Sequence, residues 1–328
     1  MTGPPCIAVD RLGKRYEDTD AVRSVSFDVA TGEVFAFLGP NGAGKSTTIN
    51  MLCTLARPTA GTAIVAGHDI VRQPREVRRR IGLVFQETTL DHQLTVDENL
   101  RFHGVLYGMS EPDISARLIE VLELVGLADR RRDLVGKLSG GMARRLEIAR
   151  GLLHCPKVLF LDEPTVGLDP ESRSRIWTDV LHLRASRGVT VFMTTHYMDE
   201  AEQADRVAII DEGEVVAIGT PSELKAAVGL DLVHLETADD TAAAHALADA
   251  GVAVEVDTSG LVASVEGVEA ALPRLLALVD VPVLSVRTRR PTLDDVFLQF
   301  TNHRLAPAEP AQPPSLEAGA HRLAPLQS

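Results

Sequence analysis

Eight consecutive residues carry the first chemistry legible in this chain: Gly39-Pro40-Asn41-Gly42-Ala43-Gly44-Lys45-Ser46. The glycines let backbone N–H groups turn inward, and a lysine and a serine follow where a helix would begin. This is the G-x-x-x-x-G-K-[ST] pattern of a phosphate-binding loop. Its mechanism needs a strand before the loop and a helix after it. Glu33-Val34-Phe35-Ala36-Phe37-Leu38 reads as a short buried strand, and Ser46-Thr47-Thr48-Ile49-Asn50-Met51-Leu52 as the start of a helix. In that setting Lys45 places its ammonium between phosphates and the Ser46 hydroxyl ligates Mg²⁺.

A second group lies further on. The apolar run Val158-Leu159-Phe160-Leu161 ends in Asp162-Glu163-Pro164. Metal-assisted hydrolysis of a nucleoside triphosphate needs a carboxylate near the metal and a polar group to orient the attacking water. Asp162 suits the first task, through metal-bound water. Glu163 suits the second, as the group that polarises water and accepts its proton. Another strand, Val189-Thr190-Val191-Phe192-Met193, leads to Thr194-Thr195-His196, where His196 would contact a γ-phosphate. Taken alone, that histidine reads as a structural hydrogen-bonder. Pattern alone likewise reads Tyr16 as a half-buried strand residue.

The elements that must hold these groups follow from periodicity. Residues 6–30 alternate as strands do. Strands and helices then alternate, which predicts a mainly parallel sheet with helices on both faces. A helical block at 95–150 interrupts them. It starts at Thr95, an N-cap hydroxyl with Glu98 three residues on, and its last helix opens at Leu138-Ser139-Gly140-Gly141-Met142. Residues 230–300 read as a separate small α+β unit, with two strands meeting at Thr258-Ser259-Gly260 and a last helix capped by Thr292. The Pro- and Ala-rich stretch after Asn302 reads as disordered.

Composition bounds the function. A length of 328 residues suits two or three domains. A net charge of −13 argues against a nucleic-acid groove. Cys6, Cys53 and Cys155 show no C-x-x-C spacing, as expected of free, packed thiols in a reducing cytosol. The start, Met1-Thr2-Gly3-Pro4-Pro5, lacks the basic and apolar blocks of a signal peptide. No run approaches the roughly 20 apolar residues that span a bilayer. A soluble chain is expected, with any membrane span supplied by another polypeptide.

In order, these motifs resemble the ATP-binding subunit of an ABC transporter over about residues 5–225. The resemblance implies a P-loop α/β fold with an antiparallel β subdomain and a helical insertion, plus a small C-terminal α+β domain. The implied domains are 5–228 for the ATPase (helical subdomain about 87–152), 229–302 for the accessory unit and 303–328 for a disordered tail. It assigns Tyr16 to adenine stacking and Gly39, Pro40, Asn41, Gly42, Ala43, Gly44, Lys45, Ser46 and Thr47 to the phosphates. Gln86 becomes the Q-loop, Asp169 the D-loop and His196 the switch histidine. Ser139, Gly140 and Gly141 become the signature that clamps ATP held by a second copy. Glu163, His196 and Lys45 are the implied catalytic residues. Ser46, Gln86 and Asp162 are the implied Mg²⁺ ligands, with ATP and Mg²⁺ as cofactors.

Met142 departs from the general LSGGQ signature. Ser139-Gly140-Gly141-Met142 with Arg144-Arg145, Pro164-Thr165-Val166-Gly167-Leu168-Asp169, and Arg290-Pro291-Thr292-Leu293-Asp294-Asp295-Val296-Phe297 resemble the daunorubicin-resistance type of drug-export ATPase. That implies a homodimer with a separate transmembrane permease at the cytoplasmic face of the membrane, and no nucleic-acid partner. The alternatives are an importer subunit, a soluble ABC ATPase acting on ribosomes or DNA, and an ATP-binding protein without turnover. A second cassette or a long coiled-coil insertion, usual in the soluble ABC ATPases, is not seen. Intact Lys45, Asp162, Glu163 and His196 oppose the last reading.

Overall fold

The computed structural model describes residues 4–257 and 260–301. The Thr258-Ser259 part of the predicted turn and the tail at 303–328 lie outside the described residues. From the N-terminal end come β1 (Ile7–Tyr16), β2 (Thr19–Val29), β3 (Val34–Leu38), α1 (Lys45–Leu52), β4 (Ala60–Val65), β5 (His68–Asp69), α2 (Pro74–Arg80) and β6 (Ile81–Val84). The helical block is α3 (Val96–Leu106), α4 (Glu111–Leu124) and α5 (Gly140–Leu152). Then follow β7 (Val158–Asp162), α6 (Pro170–Arg187), β8 (Thr190–Thr195), α7 (Met198–Ala201), β9 (Arg206–Asp211), β10 (Glu214–Gly219) and α8 (Pro221–Val228). The last stretch holds β11 (Asp231–Thr237), α9 (Asp240–Asp249), β12 (Ala253–Asp257), β13 (Gly260–Val265), α10 (Val268–Leu278), β14 (Val283–Arg289) and α11 (Leu293–Thr301).

The centre is the parallel run β9-β3-β8-β7-β6. β10 turns back antiparallel beside β9 and meets β2 through Glu214 and Ser24. From there β2, β1, β4 and β5 continue as an antiparallel sheet. The expected α/β fold with an antiparallel part is therefore present. β3 shows why its run is continuously apolar. Val34, Ala36 and Leu38 face the core shared with α3 to α6, while Phe35 and Phe37 face the core shared with α1 and the antiparallel strands. A parallel strand covered on both faces has no polar side to show. On the second face Phe27, Phe35, Phe37, Phe160 and Phe192 gather with ring centroids 5.4 to 5.8 Å apart. Aromatics are few in this chain, and they are concentrated where the sheet needs volume.

Local rules place the helices. Thr95 and Glu98 form the reciprocal cap that starts α3. Ile114, Leu118, Val121 and Leu122 form the buried stripe of α4. Two expectations change. Cys155 is exposed, unlike the buried Cys6 and Cys53. It sits at φ 55 in the turn between α5 and β7, where the chain reverses at the surface. Helix α11, read as part of the separate unit, instead joins the main core. Its Leu293, Val296 and Phe297 are buried beside α7, α8 and β10. The sheet β12-β13-β11-β14 keeps its own core with α9 and α10, built on Val233, Leu235, Leu261 and Ala263.

Phe297 is 1% exposed, so truncation leaves a cavity in the larger core. Phe297→Ala is expected to lower stability by about 3–5 kcal/mol. Denaturant unfolding checks this, and an unchanged midpoint would mean that α11 does not hold to the core.

Candidate functional site

Parallel strands deliver their C-terminal ends to one edge of the sheet. Here β3 ends at the glycine loop, β7 at Asp162-Glu163, β8 at Thr195-His196, and β6 two residues before Gln86. The loop depends on glycine at Gly44, which has φ +105 and where a Cβ would lie 2.5 Å from the Ala21 carbonyl. α1 starts at the next residue with Lys45.

Lys45 is 5% exposed and folds back over the loop. Its Nζ donates to the carbonyls of Gly39 at 2.9 Å and Pro40 at 3.1 Å, and pairs with Glu163 Oε1 at 3.0 Å. Ser46 Oγ donates to Asp162 Oδ1 at 3.2 Å. Thr194 Oγ1 donates to the same oxygen at 2.6 Å and accepts the Glu163 N–H at 3.0 Å. His196 Nδ1 lies 3.4 Å from Glu163 Oε2, within ion-pair reach but off the line of a hydrogen bond. Glu163 itself sits at φ 45, a left-handed conformation unusual for a side-chain-bearing residue.

The charges balance within this cluster. Burial pushes the Glu163 carboxyl up, but His196 and Lys45 beside it more than offset that and hold it down to about 2. The carboxylate is therefore ionised at every physiological pH. Ser46 and Asp162 put a hydroxyl and a carboxylate oxygen side by side. Among the described residues no cluster of three or more His, Cys, Asp or Glu could hold a metal by itself. A few protein oxygens, the rest being left to water and phosphate, is the donor set that suits Mg²⁺.

The remaining predicted residues lie around this centre. Gly42 stands at φ +84 with open space beside it. Asn41 is exposed, Ala43 buried, and Thr47 half-buried on the first turn of α1. Gln86 makes no side-chain hydrogen bond among the described residues and is exposed. Tyr16 is 47% exposed at the end of β1, not half-buried, with Lys14 Nζ 4.6 Å from its ring centre. Strand alternation had no way to mark that the chain turns to solvent there.

Ser139 and Gly140 are exposed at the start of α5, away from the cluster's bonds, and Ser139 Oγ accepts the Met142 N–H at 3.3 Å. Gly141 is buried against α6, where a Cβ would sit 2.5 Å from Ser172 Oγ. Asp169 is the N-cap of α6, accepting from Ser172 N at 2.9 Å and Ser172 Oγ at 2.6 Å.

Sequence reading passed over two buried groups that organise this edge. Thr194 bridges Asp162 and Glu163; its place two residues before His196 was the available signal. Glu200, 4% exposed, accepts Thr195 Oγ1 at 2.6 Å and the Thr165 hydroxyl, and Thr195 Oγ1 in turn accepts the Tyr197 N–H at 2.9 Å. Burial raises its carboxyl's pKa despite both hydroxyls. Glu200 thus ties the residues flanking His196 to the turn after Glu163. Nothing in its spacing announced that.

The chain matches the ABC transporter family over residues 22–166, and the family described as "ATP-binding protein DrrA1-3-like, C-terminal domain" over residues 219–301. It is 45% identical to the daunorubicin resistance ATP-binding protein DrrA3 of Streptomyces coeruleorubidus, over 90% of this chain and 95% of that one. It is 40% identical to the Nod factor export ATP-binding protein I of Paraburkholderia xenovorans, over 91% of this chain and 98% of that one. Among solved structures it resembles the dimeric ATP-binding cassette MJ0796 in a post-hydrolysis state bound to ADP and Pi. That likeness has a TM-score of 0.60 and 28% identity, covering 65% of this chain and 98% of that one.

Proposed function

The chain belongs to the ABC transporter ATP-binding family, with a DrrA-like C-terminal domain, and from that premise we propose that it energises export of a drug or antibiotic through a separate permease. The observation that carries the reading is the single cluster of Lys45, Glu163, His196, Asp162 and Ser46 at one sheet edge. A loop that cradles phosphates and a buried carboxylate that accepts a proton from water are the two halves of ATP hydrolysis.

Lys45 holds the phosphates once it leaves the Gly39 and Pro40 carbonyls. Ser46 and Asp162 would hold Mg²⁺, which would supply charge neutralisation on the phosphate oxygens. Glu163 orients and deprotonates water, and His196 and Gln86 contact the γ-phosphate side of the site. Tyr16, exposed beside the loop strands, stacks on adenine. Ser139 and Gly140 face solvent at the start of α5, so they are available to ATP on a second copy, with Asp169 near the shared face. The dimeric relative supports that arrangement.

For the permease the supporting feature is α3, ten residues after Gln86. It exposes Phe102 (62%), Val105 (63%) and Leu106 (67%). Among the described residues no helix is long and apolar enough to cross a membrane. A peripheral position on the cytoplasmic face follows from that division of labour. We take 5–228 as the ATPase unit and 229–302 as the accessory unit, whose last helix, α11, packs back on the ATPase core. The relatives named for drug resistance and for Nod factor export point to export, and their different cargoes leave the choice of substrate to the permease.

Purifying the chain from detergent-solubilised membranes tests this. The expected result is co-recovery of a multi-span protein and Mg²⁺-dependent ATPase activity. Recovery with ribosomes and no membrane protein would sink the exporter reading.

A further inference from the structure

Arg144 lies in α5, two residues after Met142, and has no place in the nucleotide contacts above. Its side chain is 7% exposed, and each of its guanidinium nitrogens is engaged. Nε donates to the Pro164 carbonyl at 2.6 Å, and Nη2 to the carbonyls of Asp162 at 3.1 Å and Glu163 at 3.3 Å. Nη1 donates to the Phe85 carbonyl and to Glu147 Oε2 at 2.9 Å. Three successive carbonyls of the catalytic turn therefore lean on one side chain. A fourth belongs to the residue just before Gln86.

Glu147 completes the link. It is 1% exposed, and its Oε1 accepts Thr89 N–H at 2.8 Å and Thr89 Oγ1 at 3.2 Å, with Arg150 Nη2 at 3.7 Å. Desolvating such a pair cancels much of its attraction, so stability alone is a weak reason for it. Fixed geometry is the better reason. The turn it holds includes Glu163 at φ 45, a conformation that persists only when the surroundings over-determine it.

We propose that Arg144, held by Glu147, is a positioning residue for ATP hydrolysis. It fixes the Asp162–Pro164 turn so that Glu163 meets the attacking water. It also ties that turn to the Phe85–Thr89 segment carrying Gln86, so that displacement of that segment is felt at Glu163 of the same chain. The inference rests on the reading of Glu163 as the base. Lysine cannot replace Arg144 in full, because only the planar fork of five donors reaches all these acceptors at once.

Arg144→Met keeps the length of the side chain and removes the fork. In the full chain its kcat for MgATP is expected to fall about 30- to 100-fold, since a misplacement of about 1 Å costs that much. The Kd for a fluorescent ATP analogue should stay within about threefold, because no nucleotide contact is lost. Arg144→Lys should fall between the two. A wild-type kcat in Arg144→Met overturns the proposal. So does a parallel fall in kcat and nucleotide affinity, which is the mark of a merely structural residue. If Arg144→Met does not fold, Arg144→Lys is judged by the same two measurements. Glu163→Gln, assayed alongside, separates the readings. Undiminished hydrolysis there removes the base itself, whereas loss there with normal Arg144→Met turnover removes only the positioning role.

Discussion

Glu163→Gln is expected to bind ATP and to lose steady-state turnover by about 10²- to 10⁴-fold, the usual worth of a general base. The amide can still orient water but cannot take its proton. The structure adds a condition. Glu163 is held down to about 2 by His196 and Lys45 against the effect of burial, and a carboxylate that acidic is a poor base. Its ion pair with Lys45 at 3.0 Å must therefore loosen before chemistry. Phosphates that draw Lys45 away would do this, letting the Glu163 pKa rise as the cation leaves. If Glu163 is the base, nucleotide binding and its activation would then be one movement of one lysine. Rapid-quench hydrolysis together with equilibrium binding checks the prediction. Undiminished hydrolysis by Glu163→Gln would remove Glu163 from the catalytic role.

Lys45→Ala is expected to act at the binding step. Hydrogen bonds to charged groups contribute about 1.5–3 kcal/mol each, so losing the ammonium should weaken ATP binding about 10- to 100-fold. A second effect follows from the fold. Without Lys45 the buried Glu163 keeps, among the described residues, only the His196 contact to hold its carboxyl down, so burial is less opposed and its pKa rises from about 2. Titration calorimetry with MgATP reads the first effect, and the pH profile of residual hydrolysis reads the second. An unchanged Kd would show that Lys45 remains on Glu163 and the loop carbonyls when nucleotide is bound.

The sequence by itself determined the glycine loop, the acidic strand end and the alternation of strands with helices. Each is local: a turn that demands glycine, a cap that demands Thr95 with Glu98, a run whose apolarity means two covered faces. Because parallel strands all end on one side, the order of motifs also implied that Gly39–Ser46, Asp162-Glu163 and His196 share an edge. What the tertiary structure decided is what each group touches there. Lys45 reaches Glu163 across 118 positions, Arg144 reaches carbonyls on β7 and beyond β6, and α11 returns to the cassette core after a whole separate sheet. Such contacts leave no periodic trace. They depend on burial, and burial is set by elements distant in the chain. A buried Arg144–Glu147 pair reads in sequence like any solvated helix face. Only the packing of α5 against the ends of β6 and β7 removes the water and leaves backbone carbonyls as its partners.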